Sequence, residues 1–391
     1  MQKSGVIALI GIRHRFAIVI IAMVAIFSLT FNSASAKDSI NVGMAVALTG
    51  YLASFDGQLV DGVKLAVKHI NDAGGVNGKD IKLHILDNAS NAATGVTIVN
   101  QLLNQYNVSV MITGASSAQS VAIHPIAAKN KVPFISTAMP PPNPTWVFLA
   151  GPYFETIIET QLQFVKQRLK GKKIVYVYLQ NPFGQLGANY VAKRAPELGL
   201  EVVLSQGVEG STIDLTPQMG KFKDLMPDAI VDLLTGPVHI VEAKAAATVG
   251  LQIPIVRSTD DSSVAAQSAT AYPNSYGVML PVQAYPDLPD PEVKAANATF
   301  VAAYKAAGLD PVRIAGGAWG WDAVNTLVLA IKASGATGGE ELRAGLEKVS
   351  FVASTGRLKF SASDHTGQAG APSPLQIGRY RDGKLEILFP K

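Results

Sequence analysis

The side chains that could perform covalent or metal chemistry are few and scattered. The chain has no cysteine, which excludes disulfides, thiol nucleophiles and cysteine-based metal sites. Its six histidines show none of the spacings that zinc sites use. Ser120 and His124 lie four residues apart, but such a pair on a helix usually faces solvent, and no G-x-S-x-G elbow is present. Because phosphate-binding glycine loops are also absent from the sequence, we expect neither an enzyme nor a cofactor.

Other loops carry side chains suited to holding a small molecule. Ser116 and Ser117 stand at the predicted start of a helix, where hydroxyls and backbone N–H groups favour a carboxylate. The alternative is that they are plain N-cap residues. Asp260 and Asp261 could receive an ammonium group or form a solvated turn. Apolar surface for the body of a ligand is predicted from Phe55, Met139, Tyr153 and Phe183.

The elements that must position these loops are strands and helices in strict alternation. Buried apolar runs such as Ile40–Leu48 and Ala229–Leu234 are followed by one-sided helical faces such as Leu59–Ile70. The alternation occurs in two successive blocks, and the second begins at about Phe154. This pattern predicts an α/β fold of two doubly wound parallel-sheet lobes. Ligands of such sheets bind beyond the carboxyl ends of the strands, where the candidate loops lie.

The order of the blocks also predicts where the lobes begin and end. Helices after the second block, over about 291–307 and 314–333, suggest a return to the first lobe. We therefore assign residues 37–154 and 282–363 to lobe 1, and residues 155–281 and 364–391 to lobe 2. Because no low-complexity linker separates the blocks, we expect a hinge with several crossings rather than one flexible tether.

The first 36 residues are typical of an export signal. Lys3, Arg13 and Arg15 precede the apolar run Phe16–Phe31, and Ala34-Ser35-Ala36 offers the small residues that a signal peptidase recognises. An uncleaved membrane anchor is the alternative, because the run is long for a signal. With no cysteine at the cleavage point, a lipid tether is excluded. We expect a soluble periplasmic protein.

The charge balance implies no basic surface for nucleic acid. The formal net charge of +4 includes three basic residues of the predicted signal, so the remaining 355 residues carry about +1. Those 355 residues are more than one core usually serves, which agrees with two lobes.

Several segments in order resemble the type I periplasmic solute-binding proteins of the branched-chain amino acid ABC importers. The most specific is Asn71–Gly78 (NDAGGVNG), which follows the first predicted helix. Each of the other segments is a weak match by itself, but together they occur in the order found in the family. They are Val42–Gly50, Gly114–Ser117, Val132–Ser136, Asn181–Gly184 and Trp321–Ala323. The resemblance covers nearly all of the chain after the signal. It implies two lobes closing on a ligand in the cleft, no catalysis, and delivery of the solute to a membrane permease.

The resemblance carries the amino-acid site over only in part. It implies that Ser116 and Ser117 hold a ligand carboxylate, with Phe55 and Phe183 as aromatic walls and Asp260 or Asp261 for the ammonium. Two positions depart from the family pattern: a threonine is replaced around Ala138-Met139, and a tyrosine around Thr235. Fewer polar partners for an ammonium make an aromatic acid a serious alternative to a branched-chain amino acid.

The sequence thus predicts a monomeric binding protein of an ABC importer that captures a small apolar carboxylate. A ligand-sensing receptor of the same fold is the first alternative. A periplasmic α/β enzyme is the second, and it is opposed by the missing nucleophile and metal sets.

Overall fold

The computed structural model of the chain describes residues 39–138, 145–151, 153–259, 262–367 and 374–390. The predicted signal peptide, residues 1–36, lies outside them. None of the helices in the described part is both long and apolar enough to cross a membrane.

Lobe 1 is built on a parallel sheet of five strands in the order β2-β1-β3-β4-β5. Its strands are largely buried apolar runs, as expected for a sheet covered by helices on both faces. The strands are β1 (Ser39–Val46), β2 (Asp80–Asp87), β3 (Val110–Thr113), β4 (Phe134–Ser136) and β5 (Val147–Leu149). The helices between them are α1 (Ala53–Asp72), α2 (Ala92–Tyr106) and α3 (Ser117–Asn130).

Lobe 2 is built on a sheet of seven strands in the order β14-β13-β10-β9-β8-β6-β7. Five strands are parallel: β6 (Lys173–Leu179), β7 (Glu201–Val208), β8 (Ala229–Leu233), β9 (Ile255–Thr259) and β10 (Ser275–Met279). The helices are α4 (Phe154–Phe164, continued by a π-helical turn over Val165–Leu169), α5 (Pro182–Glu197), α6 (Thr216–Asp224), α7 (Val238–Thr248) and α8 (Ser262–Ala271).

After β10 the chain returns to lobe 1. The returning elements are α9 (Pro281–Ala284), α10 (Pro291–Ala306), a short 3-10 turn over Pro311–Arg313, α11 (Ile314–Ser334), α12 (Gly339–Leu346) and the hairpin β11 (Ser350–Ala353) and β12 (Gly356–Lys359). Helix α11 packs on α1.

Asp322 of α11 holds the turn between β11 and β12. It is fully buried and accepts hydrogen bonds from the backbone N–H groups of Ser354 and Thr355, which fasten the turn to the helix.

The last strands, β13 (Gln376–Arg381) and β14 (Lys384–Phe389), join the lobe 2 sheet. The two-lobed α/β fold with parallel sheets is therefore confirmed, and two antiparallel pairings extend the lobe 2 sheet at one edge, where β13 pairs with β10 and β14 pairs with β13. The signal for this hairpin was present in Asp382-Gly383, whose positive φ angles of 52° and 73° suit a tight hairpin turn. The lobe boundaries predicted near 154, 281 and 363 stay predictions.

Five further elements lie in segments that the sequence pattern left unassigned: β5, α8, α9, α12 and β11. Strand β5 has only three residues, too few to show any periodicity. Helix α8 is rich in alanine and serine (SSVAAQSATA), so no apolar stripe marks its buried face.

Close contact between α1 and α11 depends on glycine. A Cβ added to Gly62 would lie 1.9 Å from the carbonyl oxygen of Gly317, which is backbone and cannot move aside easily. Gly320 of α11 meets α1 in the same way, since a Cβ there would lie 2.1 Å from the carbonyl oxygen of Leu59. The two helix backbones can approach closely because Gly62 and Gly320 lack a side chain.

We predict that Gly62→Ala lowers the free energy of unfolding by about 1–3 kcal/mol, because the methyl group forces the two helices apart. Gly220→Ala in α6 is the matched control, since a Cβ there meets nothing within 4 Å. The control should raise stability by up to about 1 kcal/mol through helix propensity. Urea unfolding of the three proteins measures both values, and equal effects of the two substitutions would contradict the contact.

Candidate ligand-binding site

A cavity of about 130 Å³ lies between the two lobes. Among the described residues, those that line it come from the carboxyl ends of strands in both sheets, from the loops and first helical turns that follow them, from α4 and from α11. They are Tyr51, Leu52, Phe55, Ala115, Ser116, Ala118, Thr137, Ala138, Ile157, Leu179, Asn181, Phe183, Gly210, Thr235, Thr259 and Trp319.

The strand order explains why the cavity lies there. In each lobe the chain first adds a strand on one side of the starting strand and then crosses to its other side. The crevice opened by this change lies between β1 and β3 in lobe 1 and between β6 and β8 in lobe 2. The loops and first helical turns that follow these four strands supply nine of the 16 described lining residues.

Ser116 forms the polar end of the cavity in lobe 1. Its Oγ accepts a hydrogen bond from the backbone N–H of Gln119 at 3.2 Å and so caps α3. The hydroxyl proton of Ser116 remains able to donate to a ligand. Because the first turn of a helix presents N–H groups and the positive end of the helix dipole, this end of the cavity suits an anion.

Asp56 fixes the two loops that carry this polar end. Its carboxylate accepts hydrogen bonds from the backbone N–H of Ala47 at 2.6 Å and of Ala115 at 2.8 Å. Burial raises the pKa of Asp56 to about 6, although the two N–H groups act in the opposite direction. A Cβ at Gly114 would lie 2.1 Å from the carboxylate, so the glycine leaves room for it. Asp56 therefore ties the ends of β1 and β3 together directly beside Phe55 and Ala115.

Aromatic rings form the apolar wall of the cavity. The rings of Phe55 and Trp319 lie with their centroids 4.6 Å apart at an interplanar angle of 54°. Phe183 faces the cavity from lobe 2 and Tyr51 from lobe 1. Such a wall favours a ligand with a flat or branched apolar body.

Lobe 2 contributes neutral polar groups. The side-chain oxygen of Asn181 accepts from the backbone N–H of Gly184 at 2.9 Å, and the hydroxyl of Thr235 donates to the carbonyl of Leu234 at 2.8 Å. Thr259 stands at the end of β9. Among the described lining residues there is no charged side chain, so hydroxyls, amides and backbone N–H groups are the partners offered to a polar ligand.

Five of the predicted site residues line the same cavity: Phe55, Ser116, Ala138, Phe183 and Thr235. Tyr153 is not among its lining residues; its ring packs on Phe154 at 4.8 Å, and burial raises its pKa to about 12. The side chain of Ser117 and the residues Met139, Asp260 and Asp261 lie outside the described part. Their contact with a ligand stays a prediction.

Sequence reasoning missed several lining residues. Tyr51, Thr137, Asn181 and Thr259 lie in the loops expected at strand ends, but no residue pattern distinguished them. Trp319 was missed because it lies inside a helix that follows both βα blocks, and only the packing of α11 on α1 brings it to the cavity.

Comparison with known proteins assigns the family. The chain matches the family described as periplasmic binding protein over residues 39–384. It belongs to this family. A curated relative, Leu/Ile/Val-binding protein homolog 1 of Brucella abortus (strain 2308), is 25% identical over 367 residues, which cover 90% of this chain and 94% of the relative.

Solved structures of periplasmic binding proteins share the fold. A leucine-binding protein from Thermotoga maritima MSB8 superimposes with a TM-score of 0.74 at 19% identity, covering 89% of this chain and 97% of that one. A solute-binding protein of an ABC transporter from R. palustris, solved in complex with benzoate, gives a TM-score of 0.72 at 22% identity, covering 90% and 95%. The type I periplasmic binding protein fold inferred from the sequence is thus confirmed.

The buried carboxylate of Asp56 generates a prediction about pH. Asp56→Asn should lower the free energy of unfolding at pH 7 by about 1–3 kcal/mol, because the amide presents an NH₂ group to a backbone N–H. The folded wild type binds the Asp56 proton at about pH 6, well above the ordinary value of 3.8. Wild type should therefore gain stability relative to the variant as the pH falls from 6 to 4, by at most about 1.4 kcal/mol per pH unit.

Urea unfolding of both proteins across this pH range measures the effect. The control is Asp72→Asn, an exposed residue paired with Lys68, which should change stability by less than about 0.5 kcal/mol. Parallel pH curves for wild type and Asp56→Asn would contradict the elevated pKa of Asp56.

Proposed function

We propose that this protein is the periplasmic substrate-binding component of an ABC importer and that it captures a small apolar carboxylate. The observation that carries the proposal is the cavity between the lobes, which combines an aromatic wall with the N-terminus of α3 at Ser116. The positive end of the helix would hold the carboxylate, and the rings of Phe55, Phe183 and Trp319 would cover the body of the ligand.

Two classes of carboxylate fit this description. An aromatic acid is favoured by the aromatic wall and by the neutral side chains among the described lining residues. A branched-chain amino acid is favoured by the Leu/Ile/Val-binding relatives, and it would need an acid for its ammonium group, because an unpaired buried charge is costly. Asp260 and Asp261, which follow β9, would supply that acid.

The remaining parts of the proposal concern the setting of the protein. We propose export through cleavage before Lys37, action as a monomer, and delivery of the ligand to a permease in the inner membrane. The predicted signal and the solute-binding relatives support this setting.

Titration calorimetry tests the ligand class with four compounds: leucine, valine, benzoate and 4-hydroxybenzoate. We expect one or both classes to bind at one ligand per chain. Benzamide and leucinamide are matched control ligands that lack the carboxylate, and they should bind far more weakly. If leucine binds and Asp260→Asn or Asp261→Asn abolishes its binding, the amino-acid class stands. If none of the four carboxylates binds, or if the amides bind as tightly, the proposal is wrong.

Ser116→Gly separates ligand binding from helix capping, because glycine replaces a serine N-cap at a cost of only a few tenths of a kcal/mol. A hydroxyl hydrogen bond to a charged group contributes roughly 1.5–3 kcal/mol, so we expect affinity for the carboxylate ligand to fall at least about tenfold. Asn91→Gly is the matched control, since Asn91 caps α2 through the N–H of Thr94 and is not among the lining residues. Equal affinities of wild type and Ser116→Gly would reduce Ser116 to its capping role.

A further inference from the structure

Strands β8 and β9 separate from one another as they approach the cavity. Their backbones pair at only two register positions, the second of which joins Val231 to Val256. Beyond that point each strand keeps its outer neighbour: β8 pairs with β6 as far as Leu233, and β9 pairs with β10 as far as Thr259. The gap therefore opens inside the sheet, between two strands that are otherwise held in place.

The side chain of Gln161 bridges this gap at its narrow end. Gln161 belongs to α4 and is fully buried. Its Nε2 donates to the carbonyl oxygen of Asp232 on β8 at 2.8 Å and to that of Val256 on β9 at 2.9 Å. One amide group thus supplies a donor to each strand at the point where their mutual ladder ends.

Asp232 and Ser258 hold the wide end of the gap. Oδ1 of Asp232 accepts from the backbone N–H of Ser258 at 3.1 Å and of Leu234 at 3.2 Å, and it lies 2.8 Å from Nε2 of His239. The hydroxyl of Ser258 donates to the carbonyl oxygen of Leu234 at 2.6 Å. These side chains are all at least nine-tenths buried, so water does not compete for the hydrogen bonds.

The bridged residues lead directly into the cavity. Thr235 follows Leu234 and Thr259 follows Ser258, and both threonines line the cavity. Gln161 and Ser258 are not among its lining residues. We propose that Gln161 and Ser258 are positioning residues for ligand binding, which set the separation of the two strand ends and so the placement of Thr235 and Thr259. The inference rests on the proposed binding function.

The composition of the cluster supports a role in geometry. Burying Asp232 and His239 costs desolvation, and well-packed apolar residues often give the same or greater stability at such positions. If apolar side chains filled the gap, β8 and β9 could continue their backbone hydrogen bonds and close the gap. Thr235 and Thr259 would then move. The hydrogen bonds of Gln161, Asp232 and Ser258 keep β8 and β9 apart at a defined distance.

Gln161→Met tests the proposal, because methionine has similar length and cannot donate a hydrogen bond. Gln163→Met is the matched control: it is the same substitution on the same helix, where the amide contacts Glu159 at 2.8 Å and no strand. By calorimetry with leucine, valine, benzoate and 4-hydroxybenzoate, Gln161→Met should weaken the binding of whichever compound binds wild type by about tenfold. The control should bind as wild type does.

A double-mutant cycle shows whether Gln161 acts through the threonines. In a Thr235→Val, Thr259→Val background, the loss caused by Gln161→Met should be much smaller than in wild type, since the groups it positions are gone. Full additivity would overturn the positioning role, as would unchanged affinity in Gln161→Met.

Hydrogen exchange of the ligand-free protein provides the measurement that does not depend on the ligand. Gln161→Met should lose protection at the amides of Leu234 and Ser258 while the remainder of the lobe 2 sheet stays protected. Ser258→Ala, a smaller change, should give the same local pattern if Gln161→Met fails to fold. If protection at these amides is unchanged, the proposal is overturned. If none of the four compounds binds wild type, the proposed function fails separately, and the exchange pattern still decides whether Gln161 holds the strand ends.

Discussion

Buried carboxylates that accept backbone N–H groups hold this protein together where its backbone ladders end. Asp56 joins the loops after β1 and β3, Asp232 joins the ends of β8 and β9, and Asp322 joins α11 to the turn between β11 and β12. A buried carboxylate is costly unless it is hydrogen-bonded, so each one requires its partners at fixed positions. The cavity lies between the structures fixed by the first two, and its shape depends on both.

The three carboxylates differ in the charge around them. Burial raises the pKa values of Asp56 and Asp322 to about 6, since their partners are neutral N–H and hydroxyl groups. Burial acts in the same direction on Asp232, but the adjacent His239 and the backbone N–H groups of Ser258 and Leu234 together outweigh it and hold the pKa of Asp232 below its ordinary value. Asp232 therefore keeps its charge under mildly acidic conditions, in which the carboxyl groups of Asp56 and Asp322 begin to take up protons.

Much of the fold could be predicted from the sequence because its signals are local. Buried strands such as β1 and β8 are continuous apolar runs, and helices such as α1 show one apolar face. The glycines of the Asn71–Gly78 segment end α1, and Gly74, Gly75 and Gly78 all have positive φ angles. The rule that ligands bind beyond strand ends then indicated the loops that meet at the cavity.

The rest depends on contacts between distant segments. Trp319 reaches the cavity through the packing of α11 on α1, and nothing near it in sequence indicates a site. Asp56 looks like an ordinary acidic residue in the first turn of a helix, yet it is fully buried and bonded to Ala115, which lies 59 positions further along the chain. Gln161 lies on a helix face whose pattern indicates only burial. Polar residues that act across a sheet have no local pattern, so sequence reasoning could not find them.

This arrangement separates the charged groups from the surface that a ligand would contact. The described lining residues are neutral, whereas Asp56 and Asp232 lie behind them and act through backbone N–H groups. A ligand carboxylate at Ser116 would therefore meet hydroxyls and helix dipoles, which are oriented before it binds and lose no salt-bridge partner when it leaves. Under the proposed function, selection among carboxylates would then rest on how the body of the ligand fits the rings of Phe55, Phe183 and Trp319. For the same reason, residues that set the distance between the strand ends, such as Gln161, influence selection without touching the ligand.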